Sequence, residues 1–440
     1  MLFEFTPAIK AGIEVGKYTE ILSNGISIGI VRDTVSGSFV AHADGILVDS
    51  YPISPLVVPV QFLMTGVYMV QNHITSSEIS QQNGFVRAAL QSLQTNLEVL
   101  QATIALIELS RTPSIALEAV KLHQALKLKK KAEEMQLEVR NGFIDLQQIF
   151  KNQKSEIRQI VKEVVYNDNF KQHCTILLQA YKVFIEAINR LQTALTIQNT
   201  SHRYAEFDSA REMLFKVLED YINSQSLEAT SAPGQLRRFE CAWAIEQAII
   251  VTYQIQNEVL AVSDQLCHLR NKIKEQICTV INNCESYDEL SFLFPEISRI
   301  CKHDLAILEI WQAQVDWVHS LSEMEMKLLA RKNWNTLELA SFLDTHQSTT
   351  VPLVPPEELI YEDLAKNSHF YSILDQLIFL FKPVLRQEYE VYINQQAHAT
   401  GHNRLVQRNL QQASDMTIAN LYYYFRVRDE SNTEETLALV

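Results

Sequence analysis

The sequence predicts an all-α fold: an elongated multi-helix bundle with long coiled-coil-like helices and a small N-terminal β-hairpin element. Three observations carry that expectation. Glycine and proline number only 11 each in 440 residues, against usual shares of about 7% and about 5%, and helix interiors exclude both. Three stretches repeat apolar residues in alternating steps of four and three, the last with one extra step, the seam of helices that pack along other helices. Six of the glycines lie within the first fifty residues, which therefore stand apart from the rest.

In chain order, residues 1–50 read as a small β element packed on the helices. "GISIGIVRDTVSGSFVAHADGILV" offers two or three short strands, and Asn24-Gly25 and "DTVSG" supply turn residues that accept positive φ. So few strands are marginal in water on their own, so they must pack on the helices.

Residues 51–112 form a charge-poor, apolar helical hairpin. "YPISPLVVPVQFLMTGVYMVQNHITSS", Tyr51–Ser77, contains no charged side chain. Proline suits the first turn of a helix, so the first arm is expected to start near Pro59 and to run to about Asn72. The second arm carries the seam Val86, Leu90, Leu93, Leu97, Leu100, Ile104 and Ile107. From Ser50 to Ile107 the only charged residues are Glu78, Arg87 and Glu98.

Residues 113–232 form the first part of the helical bundle, with a seam at Leu177, Tyr181, Phe184, Ile188, Leu191 and Leu195. Residues 233–440 form its acidic second part, with a seam at Val262, Leu266, Leu269, Ile273, Ile277, Val280 and Cys284. The run from Gln235 to Cys284 has neither Gly nor Pro; as one helix of about 50 residues it would reach ~75 Å. Pro113, Gly234, Pro295 and Pro352 are the expected breaks, and residues 344–358, "DTHQSTTVPLVPPEE", suit an extended connector.

Charge narrows the function. The formal net charge is -14, and about -12 of it falls in residues 171–440. A grip on nucleic acid through phosphate neutralisation is not expected. The six cysteines form no C-x-x-C pair, and the opening residues lack a basic stretch followed by an apolar run. A cytoplasmic protein with free, buried thiols is the expectation.

Motifs of chemistry are sparse. The phosphate-binding loop, the dinucleotide glycine fingerprint, G-x-S-x-G and H-E-x-x-H do not occur. No histidine has Glu three residues before it, as carboxylate-bridged bundle metals require. His398 and His402 share metal-pair spacing, but Gly401 interrupts the helix between them. His42 and Asp44 read equally as a polar pair or as an ordinary turn before Gly45, and Cys174 beside His173 reads as a structural thiol, since helical neighbours point about 100° apart. Lys127 and Lys129 to Lys131 are followed by Glu133, Glu134 and Glu138, a self-paired helix face. Tyr422, Tyr423, Tyr424 and Phe425 beside Arg426 and Arg428 suit a core or protein interface better than a nucleic-acid platform. No catalytic, cofactor-binding or metal residue is assigned, and no cofactor is expected.

Two functional classes remain in front, with an enzyme of scattered active-site residues third. The leading one is a non-enzymatic helical interaction or scaffold protein that binds protein partners or self-associates through coiled-coil faces. The other is a membrane-active, pore-forming-like effector that inserts the 50–107 hairpin, giving conditional membrane association. For either, the candidate contact residues are Leu56, Val57, Val58, Val60, Phe62, Leu63, Met64, Val67, Tyr68, Met69 and Val70. A spanning helix needs about 20 predominantly apolar residues. Leu56–Val70 is shorter and broken by Pro59, Gln61, Thr65 and Gly66, so a standing anchor is not expected. Permanent enclosure within the bundle is the expected fate of this stretch.

Overall fold

The computed structural model describes residues 3–43, 45–46, 84, 86–98, 100–101, 139–140, 143–144, 168–223, 231–322, 324–325, 366 and 370–382, with isolated positions between 384 and 399. Within them the protein is mostly helical, with a small three-stranded antiparallel sheet at the N-terminus. The elements are β1 (Phe3–Glu4), α1 (Pro7–Glu14), β2 (Tyr18–Ser23), β3 (Ile26–Asp33), β4 (Phe39–His42) and β5 (Gly45–Ile46), then β6 (Val139–Arg140) and β7 (Phe143–Ile144). Seven further helices follow: α2 (Asp168–Ala194), α3 (Thr200–Ile222), α4 (Ala232–Ile255), α5 (Val259–Asn282), α6 (Tyr287–Arg299), α7 (Leu305–Ser320) and α8 (Phe370–Phe381). Five residues of π-helix, Ile300–Asp304, join α6 to α7.

The sheet runs β2-β3-β4, and β1 pairs with β5. Asn24 (φ 50°) and Gly25 (φ 81°) make the β2–β3 turn, the conformation that favours this dipeptide in hairpins. Alternation along β3 gives it two jobs. Ile28 and Ile30 join Ala313, Trp317 and Val318 of α7 in a small core of their own, while Val31 joins Phe3 and Phe5 in the main core. Gln314 Nε2 donates to the Ile28 carbonyl at 2.9 Å, and Phe39 meets Trp317 edge-on at 5.9 Å. The sheet is thereby fastened to α7.

The apolar seams are buried as their spacing demands. Val86, Leu90, Leu93, Leu97 and Leu100, the α2 positions from Leu177 to Leu191, and the α5 positions from Val262 to Val280 line one core, Tyr181 alone being partly exposed. Cross-helix pairs give the helix directions. Arg190 pairs with Glu206 at 2.6 Å, so α2 and α3 are antiparallel. Asn283 with Gln235 at 2.8 Å and Trp243 with Gln276 at 2.7 Å set α4 antiparallel to α5. Ser263 with Asp316 and Arg270 with Glu309, both at 2.6 Å, set α5 antiparallel to α7. The rod of α6, π turn and α7 therefore runs parallel to α4.

Four expectations need correction. Gln235 to Cys284 is not one helix: the chain reverses at Gln256–Glu258, where Asn257 takes φ 63°. Asn reaches the left-handed region through local hydrogen bonding, so a break here needs no Gly or Pro. Pro295 is no break, because it lies inside α6. Cys267 is exposed and Cys174 and Cys301 are half-buried, while Cys241, Cys278 and Cys284 are buried. Within the expected helical region, Val139–Arg140 pairs antiparallel with Phe143–Ile144, and the Asn-Gly dipeptide between them in the sequence is a hairpin signature that the helical reading overlooked.

Candidate functional site

Helix α4 is the centre of the described fold and the place where its chemistry gathers. Nearly all of its residues are buried, the charged Arg237, Arg238 and Glu240 among them. Ser231 caps it, accepting from the Gly234 amide, and Pro233 occupies the first turn. A helix buried all round is normally apolar. The exceptions on α4 therefore demand partners, because an isolated buried charge is prohibitively costly.

Those partners come from α6 and the π turn. Arg237 Nη1 donates to Glu240 Oε2, and its Nη2 donates to Glu296 Oε1 at 2.9 Å. Arg299 Nη2 donates to Glu240 Oε1, and its Nη1 to Glu296 Oε2 at 2.8 Å. Each carboxylate thus bridges two guanidiniums, and each guanidinium bridges two carboxylates: a closed ring of alternating charge. The side chain of Glu240 is 0% exposed and that of Arg237 2%. Such charge-assisted contacts are the strong class of hydrogen bond.

An arm extends from the ring. Asp304 Oδ2 lies 3.5 Å from Arg299 Nε, and its Oδ1 is 2.8 Å from His303 Nδ1. Residues 299 and 304 are five apart, which in an α-helix would place them about 140° apart around the axis. The π turn closes i to i+5, as the Leu305 amide bonded to the Ile300 carbonyl shows, and brings the two side chains to one side.

The electrostatics follow from burial and proximity. Burial pushes the Glu240 carboxyl above its ordinary value, against the pull of Arg237 and Arg299. Burial pulls the Arg237 guanidinium down, but Glu240 and Glu296 outweigh it and leave it raised. Arg299 is also raised, by Glu296, Asp304 and Glu240 against the same penalty. The arginines stay charged, and Glu240 is a carboxylate under strain from desolvation.

A second buried polar contact joins the helical stretch 86–101 to the bundle. The Tyr221 phenol donates to Gln101 Oε1 deep in the core, and burial raises that phenol well above its ordinary value. Arg238 donates to the Asp220 carbonyl at 3.3 Å beside it.

None of the ring residues was a sequence candidate. The signal was present: Arg237 and Glu240 sit three apart in "LRRFECAWAIEQAII", a stretch otherwise too apolar for solvent, and Glu296 and Arg299 repeat the spacing. The candidates at Leu56, Val57, Val58, Val60, Phe62, Leu63, Met64, Val67, Tyr68, Met69 and Val70 lie outside the described residues, as do Ile104, Ile107, Lys127, Lys129 to Lys131, His398, His402, residues 344–358 and the Tyr422–Phe425 run. Cys174 is half-buried on α2, and His42 sits in β4 with Nδ1 2.8 Å from the Ala43 carbonyl.

Among the described residues, no three His, Cys, Asp or Glu side chains are placed to hold a metal ion, and no helix is long and apolar enough to cross a membrane. No protein-family model, no curated protein and no solved structure matches the chain.

Proposed function

We propose that this protein is a non-enzymatic helical interaction or scaffold protein, an elongated bundle that binds protein partners or associates with copies of itself. The observation that carries the reading is the closed ring in α4 and α6. The buried charges of Arg237, Glu240 and Arg299 are used on one another and on Glu296 across helices, where a catalytic site would aim such groups at a substrate. The seams from Val86 to Leu100 and from Val262 to Val280 face this chain's own core. In this reading the binding faces are therefore the outer faces of the coiled-coil-like helices.

The test is size-exclusion chromatography with light scattering on the full chain. A mass above the 50.4 kDa monomer, or a stoichiometric partner retained through purification, supports the reading. A strict monomer that retains nothing counts against it.

One observation keeps a second reading in play, that of an effector which inserts the 50–107 hairpin into membranes. That region holds only three charged residues, and its described arm is held by five buried Val and Leu side chains and the Gln101–Tyr221 contact. At ~1.5–3 kcal/mol for each side chain, release would forfeit roughly 8–15 kcal/mol, which lipid would have to restore. Leakage from dye-loaded liposomes that Leu63→Asp abolishes would favour it; leakage unchanged by that substitution in a folded protein would rule it out.

A further inference from the structure

The ring closes at a single setting of α6 against α4. Arg237 and Glu240 lie one turn apart on α4, and Glu296 and Arg299 lie one turn apart on α6. Both inter-helix contacts span 59 residues of sequence, the constant offset of two parallel helices. Sliding α6 by a turn, ~5.4 Å, or rotating it by one residue, ~100°, would leave guanidiniums and carboxylates buried away from opposite charge.

Much of the remaining surface of α4 sets this register only weakly. Leu236, Ala242, Ala244, Ile245, Ala248 and Ile249 are small or aliphatic, and cores of that kind accept several packings before they lose stability. The π turn supports the same setting, because it is what carries Asp304 round to Arg299. Farther along, Trp311 Nε1 donates to Gln254 Oε1 at 2.9 Å, so the rod meets α4 again with the same direction.

We propose that the Arg237–Glu240–Arg299–Glu296 ring is a register lock. It selects one packing of the α6–α7 rod, and of the sheet fastened to α7, on the central helix. Its contribution is to uniqueness of the fold more than to the depth of its free-energy well.

Two sets of full-chain variants, each carrying Asp304→Asn, test this. In the first, Arg237→Met, Glu240→Leu, Glu296→Leu and Arg299→Met replace the ring with apolar groups of similar volume. Helix content and the urea midpoint should hold or rise. The near-UV signal of the buried Trp243 and Trp311 should weaken, and amide protection along α4 and α6 should fall by roughly 100-fold, as alternative settings interconvert. Native near-UV signal and native protection in this variant would overturn the proposal.

The second set decides the matter even where the apolar variant does not fold. Arg237→Glu with Glu240→Arg sets the reversed pair of α4 against like charges on α6 and should abolish the near-UV signal and the protection. Adding Glu296→Arg and Arg299→Glu restores the alternation and should recover both. A full reversal no better than the half reversal, or a half reversal that behaves as native, would refute a register lock.

Discussion

Glu240→Gln is the sharpest probe of the ring, because it changes charge while keeping shape. Glu240 offers Oε1 to Arg299 and Oε2 to Arg237, and all three side chains are within a few percent of complete burial. A glutamine amide has one acceptor oxygen and turns an NH2 group towards the other arginine. Donor then faces donor, and the two buried guanidiniums are left with Glu296 between them and Asp304 3.5 Å from Arg299 Nε. Breaking a buried ion pair from one side costs about 3–5 kcal/mol. The comparison is Glu309→Gln, which removes the partner of Arg270 at a 2.6 Å contact whose carboxylate is 44% exposed; such a surface pair contributes about 0–1 kcal/mol. Urea unfolding, followed by tryptophan fluorescence and by far-UV circular dichroism, should place the two variants clearly apart. A Glu240→Gln midpoint shift no larger than that of Glu309→Gln would refute the reasoning, since buried and exposed pairs would then be equivalent.

Three further outcomes are expected. Gln314→Leu removes the donor to the Ile28 carbonyl and should cost about 1–3 kcal/mol, read as faster amide exchange in β3 with α2 and α3 unchanged. In the native protein a thiol reagent should modify the exposed Cys267 and spare Cys284, whose thiol is pushed up to about 12 by burial with help from Glu289; mass spectrometry of labelled peptides reads this, and early labelling of Cys284 would contradict it. The Ser36 amide and hydroxyl and the Val35 amide hold the Asp33 carboxyl below its ordinary value. A lowered folded-state value means the turn is supported above the ordinary aspartate value of about 3.9 and loses that support as pH falls through the lowered one. The Val35 and Ser36 amide resonances should therefore titrate with a midpoint below 3.9, and a midpoint at or above it would discount these bonds.

Much of the fold was legible because it depends on local periodicity. Val262, Leu266, Leu269, Ile273, Ile277 and Val280 are buried at the spacing a helix imposes, and Asn24-Gly25 turns where a hairpin needs positive φ. The irregular points were not legible. Asn257 breaks a run free of Gly and Pro, and Pro295 sits inside a helix whose packing tolerates it. The ring was hidden for a different reason: its halves lie 59 residues apart, and single charges on a helix usually point to solvent. Only the folded arrangement reveals that α4 has no solvent face. The apolar stretch from Leu56 to Val70, the most conspicuous feature of the sequence, lies outside the described residues.

The span between the halves of the ring also sets an order of events during synthesis. Arg237 and Glu240 leave the ribosome 59 residues ahead of Glu296 and Arg299. At ~5–20 residues per second that interval is roughly 3–12 s. Throughout it α4 can pair with α3 and begin to meet α5, but two of its charges lack the groups that permit their burial. The central helix of the bundle is then among the last to settle, and the nascent chain presents the helix that ends up buried on nearly every side with a charged, water-facing end until α6 arrives.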